Sequence, residues 1–266
     1  MTVIARARLS DRLILLPSTA PIDARGANRK TIPFEGGELE IWTASSRLAR
    51  HSAPGAYILR FYGNADRADR WVAFEAEEWD NRAVEVWGVN YPGYGGSSGP
   101  ARLDRMAPAA LAAFDALKRI AGDRPVVVFG ASLGTTAALN LAAHRPVAGV
   151  ILHNPIALRQ MIMGHFGWWN LWLLAGPVAM QIPGDIDNVA NAKASRAPSI
   201  FLLAEKDEIV PPKYHRLVAE AYGGEKRIIV LKGASHNSPI EGAALADFHQ
   251  ALDWLLPRAD ALSSKE

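Results

Sequence analysis

Apolar and polar positions along the chain follow two periods. Short runs, alternating or wholly apolar, fall at Thr31–Phe34, Leu39–Ala44, Ala56–Phe61, Val84–Val89, Val126–Phe129, Val147–His153, Ser199–Ala204 and Arg227–Leu231. Each reads as a strand. Between them lie stretches with helical spacing: Arg67–Trp79, Pro108–Ala121, about Leu133–His144, Pro212–Tyr222 and Glu241–Leu256. Trp71, Phe74, Glu75 and Glu78 mark the first of these at helical intervals, and Pro108 suits an opening turn because its missing N–H is not needed there. Gly36-Gly37 makes a turn between the first two strands, and Gly122-Asp123 ends a helix. Strands that alternate with helices predict an α/β fold with a mostly parallel central sheet covered on both faces. The first two strands predict an antiparallel edge. The alternation lapses from Asn154 to Arg196. We therefore expect one domain over residues 1–266, with a cap inserted at about 154–196.

The pattern G-x-S-x-G occurs twice, at Gly130–Gly134 around Ser132 and at Gly95–Gly99 around Ser97. A nucleophilic serine at a sharp elbow needs a strand before it and a helix after it. Ser132 follows VVVF and precedes LGTTAALNLAA, so the helix N-terminus would face charge developing at the serine. Ser97 follows a proline- and glycine-rich loop and runs into Pro100, which is a loop signature. Ser132 is the candidate nucleophile. The bland alternative for GASLG is a tight turn without chemistry.

Seven histidines compete for the role of base: His51, His144, His153, His165, His215, His236 and His249. A base partnering an elbow serine comes late in the chain, in a loop after the last strand. His236, in the small-residue loop LKGASHNSP, fits. His215 and His249 lie on expected helices, and His144 sits at a helix C-terminus. The acid is expected after the preceding strand, where Glu205, Asp207 and Glu208 cluster. Asp207 is favoured because three residues beyond the strand a carboxylate can turn back toward the histidine. There it would accept the Nδ1–H and fix the tautomer. Glu205 and Glu208 would be solvated, and Asp185 and Asp187 in the cap are weaker alternatives.

Acyl transfer also needs two N–H donors for the oxyanion. One is expected from Leu133, the residue after the serine. The other is expected from the loop Tyr62-Gly63-Asn64, where Gly63 would let the Asn64 N–H face the site. The alternative is a simple Gly-Asn turn.

Charge and composition narrow the partners. The 266 residues carry a net charge of +2 with both signs interspersed, so nothing suggests a nucleic acid. There are no cysteines, which excludes disulfides and thiolate chemistry and fits a reducing cytoplasm. The opening MTVIARARLSDRLILLPS faintly resembles a signal peptide, but its apolar run Leu13–Leu16 is too short. No stretch reaches the ~20 apolar residues of a membrane span. A cytoplasmic protein is the expectation.

The ordered segments FYGNA, NYPGYGGSSG, GASLG, AEKDEIVPP and GASHN resemble the HGN-type branch of the alpha/beta-hydrolases, which includes serine-aminopeptidase-like and dienelactone-hydrolase-like enzymes and protein depalmitoylases. The resemblance runs from about Thr31 to Pro257. It implies the alpha/beta-hydrolase fold, with Ser132 as nucleophile, Asp207 as acid, His236 as base, and Asn64 and Leu133 as oxyanion donors. Tyr62 stands where the family carries histidine. A backbone donor survives that change, but the support of its loop differs.

The cap sequence HFGWWNLWLLAGPVAM gathers Trp168, Trp169 and Trp172. These residues and Tyr62 are candidate substrate contacts in an apolar acyl pocket. The tryptophans also suit a peripheral lipid contact or plain cap packing. The leading expectation is a serine esterase acting on an apolar acyl ester through an acyl-enzyme, with no cofactor and no metal. Thioester or amide hydrolysis is the alternative within enzymes, and a non-catalytic binding protein is the alternative outside them.

Overall fold

A computed structural model describes residues 9–79, 81–167 and 172–256. Among them the strands are β1 (Asn28–Phe34), β2 (Gly37–Ser45), β3 (Ala56–Phe61), β4 (Val84–Val89), β5 (Val126–Ala131), β6 (Gly149–His153), β7 (Ser199–Ala204) and β8 (Lys226–Leu231). The helices are α1 (Leu9–Ile14), α2 (Ala68–Glu78), α3 (Met106–Ala121), α4 (Gly134–His144), α5 (Leu158–Met161), α6 (Ala175–Met180), α7 (Asn188–Ala194), α8 (Pro212–Ala221) and α9 (Gly242–Leu255).

The strands form one sheet of eight among the described residues, in the order β1-β2-β4-β3-β5-β6-β7-β8. β2 runs antiparallel to both β1 and β4, and every other neighbouring pair is parallel. This is the expected alpha/beta-hydrolase architecture, with the antiparallel pair at one edge. β8 forms the other edge and pairs with β7 alone.

Burial explains why the inner strands are mostly apolar. Every residue of β3 and β7 is buried, because helices cover both faces of the sheet. Side chains alternate between the two faces. Tyr57, Leu59 and Phe61 of β3 join the layer under α3, α4 and α8, while Ala56 and Ile58 join the layer under α2 and α9.

Differences from the expected elements are local. α3 begins at Met106, two residues before Pro108. Pro108 still falls within the first turn, where its missing N–H has no intrahelical partner to lose. The helix stops at Gly122, whose φ of 60° suits glycine. α1 was not anticipated, being too short to show a period. Its neighbourhood splits the apolar run: Leu15 is buried, whereas Leu13 and Leu16 are exposed. The Asp11 carboxylate accepts the Leu103 N–H at 2.9 Å and fastens the segment to the domain.

Residues 154–196 hold α5, a π-helical turn at Ile162–Phe166, α6, a 3-10 turn at Gly184–Ile186 and α7. Ile156, Leu158, Met161, Val178, Ile182 and Ile186 are buried in the α3/α4 layer, and α7 packs against α4 and α8. Trp168 and Trp169 lie outside the described residues. Among the described residues no helix is long and apolar enough to cross a membrane.

Candidate active site

β5 ends at Ala131, level with His153 of β6, and the chain turns sharply into α4. Ser132 occupies this turn at φ 49°, a conformation that costs most residues energy. Its N–H donates to the His153 carbonyl at 2.8 Å, so the turn is tied to the neighbouring strand. The glycine that follows is required by close approach. A Cβ on Gly134 would lie 2.3 Å from the Phe61 carbonyl oxygen and 2.6 Å from that of Tyr62. This packing brings the end of β3 and its loop against the serine; a Cβ on Gly63 would stand 3.4 Å from the Ser132 Cβ.

The loops after β7 and β8 bring the other two candidates to the same place. His236 Nε2 lies 3.0 Å from the half-buried Ser132 Oγ, and His236 Nδ1 lies 2.6 Å from Asp207 Oδ2. Asp207 is enclosed, and its Oδ1 accepts the N–H groups of Ile209 at 2.9 Å and Val210 at 2.7 Å. Burial alone would raise its carboxyl pKa. The bonds from His215, His236 and the Val210 N–H outweigh burial and hold the carboxyl well below the usual carboxylate range.

The competing residues lie elsewhere or do other work. Glu205 and Glu208 are exposed; their carboxylates accept the N–H groups of Gly233 at 2.8 Å and His236 at 3.4 Å, which braces the histidine loop. Asp187 caps α7 through the N–H groups of Val189 and Ala190, and Asp185 is exposed. His51, His144 and His165 are exposed, and His249 sits half-buried on α9. Ser97 is buried in a loop. Its Oγ donates to the Asn90 carbonyl at 2.7 Å and accepts the Glu40 N–H at 2.8 Å.

Two of the expected substrate contacts, Tyr62 and Trp172, lie within the described residues. Tyr62 is buried, and its hydroxyl donates to Glu75 on α2 at 2.7 Å. The Arg60 guanidinium covers its ring at 4.7 Å. Tyr62 therefore packs its side chain on the sheet face under α2. The reason is the strand's period of two: Phe61 faces the α3/α4 layer, so Arg60 and Tyr62 face α2. Trp172 is half exposed and donates its indole N–H to the Met163 carbonyl at 3.0 Å. Leu173, Leu174 and Met180 are exposed beside it in the chain.

Asn64 is engaged through its side chain. Its Oδ1 accepts the Leu16 N–H at 2.9 Å and the Tyr94 hydroxyl at 3.1 Å, and its Nδ2 donates to the Ile14 carbonyl. The segment after α1 is thus strapped to the loop that faces Ser132.

Three further residues join the site; the sequence offers His153 and His215 only as competing bases and does not mark Asn154. Asn154, at φ 49°, donates from Nδ2 to the His236 carbonyl at 2.9 Å and accepts the Ala204 N–H at 2.8 Å. An asparagine ending a strand is a signal for this left-handed conformation. His153 has its Nε2 enclosed without a partner, and its pKa is pushed down to about 3 by burial, with Arg60 adding to the effect. His215 on α8 is fully buried and meets Asp207, at a spacing of eight residues that no simple pattern marks. Among the described residues no group of three or more His, Asp or Glu side chains is arranged to hold a metal ion.

The elbow, the strand order and the three-loop convergence invite comparison with known proteins. A family model described as the alpha/beta hydrolase fold matches residues 57–187. An uncharacterized protein of Mycobacterium tuberculosis is 26% identical over 248 residues, covering 89% of this chain and 84% of that protein. Mouse lysophosphatidylserine lipase ABHD12 is 28% identical over 190 residues, covering 66% of this chain but only 46% of the lipase. The solved structure of an esterase from Pyrococcus furiosus superposes with a TM-score of 0.67 at 14% identity, covering 91% of this chain and 97% of the esterase, a likeness of fold. With its eight-stranded sheet and its matched central segment, the chain has the alpha/beta-hydrolase fold.

Proposed function

We propose that the protein is a serine hydrolase that cleaves a carboxylic ester of an apolar acyl substrate through an acyl-enzyme on Ser132. The observation that carries this reading is the continuous chain Ser132 Oγ–His236 Nε2–His236 Nδ1–Asp207 Oδ2, with distances of 3.0 and 2.6 Å. Asp207, kept as a carboxylate, accepts the Nδ1–H and leaves the Nε2 lone pair facing the serine. His236 takes the Ser132 proton as Oγ attacks the ester carbonyl. The backbone N–H groups of Leu133 and Asn64 receive the oxyanion, aided by the N-terminus of α4. His236 then protonates the departing alcohol. Water activated by the same imidazole attacks the acyl-enzyme, which releases the acid and restores Ser132.

Support for an ester comes from the names of the relatives: one is a lipase and one structural neighbour is an esterase. Support for an apolar acyl group comes from the exposed Trp172, Leu173, Leu174 and Met180 of the cap segment at 154–196. The test combines fluorophosphonate labelling with a panel of p-nitrophenyl esters, acyl-CoAs and aminoacyl amides. Labelling that is lost in Ser132→Ala, with ester turnover lost alongside it, supports the reading. Folded protein that takes no label overturns the serine. Turnover of acyl-CoAs or amides without esters overturns the ester.

A further inference from the structure

The mechanism above assigns no part to His215, yet it meets the same Asp207 oxygen as His236 does. Its Nε2 lies 2.9 Å from Asp207 Oδ2, and its Nδ1 lies 2.9 Å from the Pro155 carbonyl oxygen. The ring is 0% exposed, so water can satisfy neither nitrogen.

Partner chemistry fixes the protons. A backbone carbonyl only accepts, so Nδ1 must donate. Asp207 already accepts two backbone N–H bonds on Oδ1 and the His236 Nδ1–H on Oδ2. Three donors favour the ionised carboxylate, which can only accept, so His215 Nε2 must donate as well. A lone pair on Nε2 would face an oxygen lone pair at 2.9 Å in a buried site. Turning the ring over would replace both hydrogen bonds with carbon contacts.

We propose that His215 is a positioning residue: a buried imidazolium, protonated on both nitrogens in the resting protein, that clamps Asp207 between α8 and the β6 loop and counters its charge. This rests on the reading of Asp207 and His236 as acid and base. The charged and titratable groups around it are Asp207 from the β7 loop, His236 from the β8 loop and His153 from the end of β6, with Arg60 of β3 acting on His153. On α8 itself, Lys213 and Arg216 are exposed and turned away.

The consequence concerns pH. Both histidines lie within hydrogen-bond distance of one Asp207 oxygen, so a fixed cation on His215 opposes a second proton on His236. His215→Gln keeps a donor toward Asp207 and removes the charge. The acid limb of kcat/KM then moves to higher pH, by about 1 unit, because protonation of the base at low pH becomes easier. A side chain that only fills space would lower the rate or the stability and leave the limb in place.

The decisive measurement is 15N NMR of imidazole-labelled wild-type protein at neutral pH. His215 is assigned by the loss of its signals in His215→Gln, or by subtracting the other histidines if that variant does not fold. Two protonated ring nitrogens on His215 are expected, whereas a single neutral tautomer overturns the proposal. An acid limb in His215→Gln that stays put or moves to lower pH overturns the positioning role. Absence of any ester turnover in wild type would instead overturn the ester reading and leave the NMR result to decide the imidazolium.

Discussion

The Ser132 N–H is bonded to the His153 carbonyl at 2.8 Å, so the strained elbow hangs on the neighbouring strand as well as on its own helix, whose Thr135 N–H donates to the Ser132 carbonyl at 3.0 Å. The strain at φ 49° is held by tertiary structure and should be measurable. Left-handed backbone costs a non-glycine residue about 1 kcal/mol or more. Ser132→Gly is expected to be more stable than Ser132→Ala by about 1 kcal/mol in urea unfolding. Both should lose roughly 10,000-fold or more of the ester turnover, because the nucleophile is gone in each.

Asp207 predicts a signature in acid. Its carboxyl is held below the usual range, so the fold favours the ionised form. That contribution is complete above the unfolded aspartate value of about 3.9 and is lost as pH falls through the folded value. The unfolding free energy of wild type should therefore fall more steeply from about pH 5 to about pH 3 than that of Asp207→Asn. Equal slopes in the two proteins would contradict the inference. At neutral pH, Asp207→Asn should also reduce kcat by about 10,000-fold through the wrong imidazole tautomer.

Ser97 offers a control for the repeated motif. Its hydroxyl bridges the Asn90 carbonyl and the Glu40 N–H inside a buried loop. Ser97→Ala should cost about 1–3 kcal/mol of stability by stranding those groups. The turnover of each folded molecule should stay close to wild type, and fluorophosphonate should label it in full.

Asn64 separates a backbone role from a side-chain role. Asn64→Ala keeps the N–H proposed as an oxyanion donor but releases Leu16, Ile14 and Tyr94. Turnover should fall by less than the ~100-fold expected for losing a donor. Hydrogen exchange at the Leu16 amide should accelerate markedly. A loss of ~1000-fold with unchanged exchange would point to the carboxamide itself.

Much of this arrangement was legible because it is built from local patterns. β3, β4 and β7 read true to the residue, since short, mostly apolar runs bounded by turns have few other readings. The elbow and the two late loops were equally visible, because each joins a strand end to small or polar residues. Tyr62 continues the alternation of β3, which sets its side chain on the α2 face of the sheet. His215 was less legible. Its partner lies across a loop and its second bond reaches back to Pro155, so its surroundings exist only after α8 packs. α1 was missed because six residues leave no room for a helical period to repeat.

β8 pairs on one side only, and the loop that follows it carries His236 and leads into α9. The serine, by contrast, follows β5 in the interior of the sheet. An edge strand and the loop beyond it open at lower free energy than a central strand. Heating should thus silence the protein before it melts: activity would disappear while the bulk of the sheet stays intact, and brief warming followed by cooling would restore it.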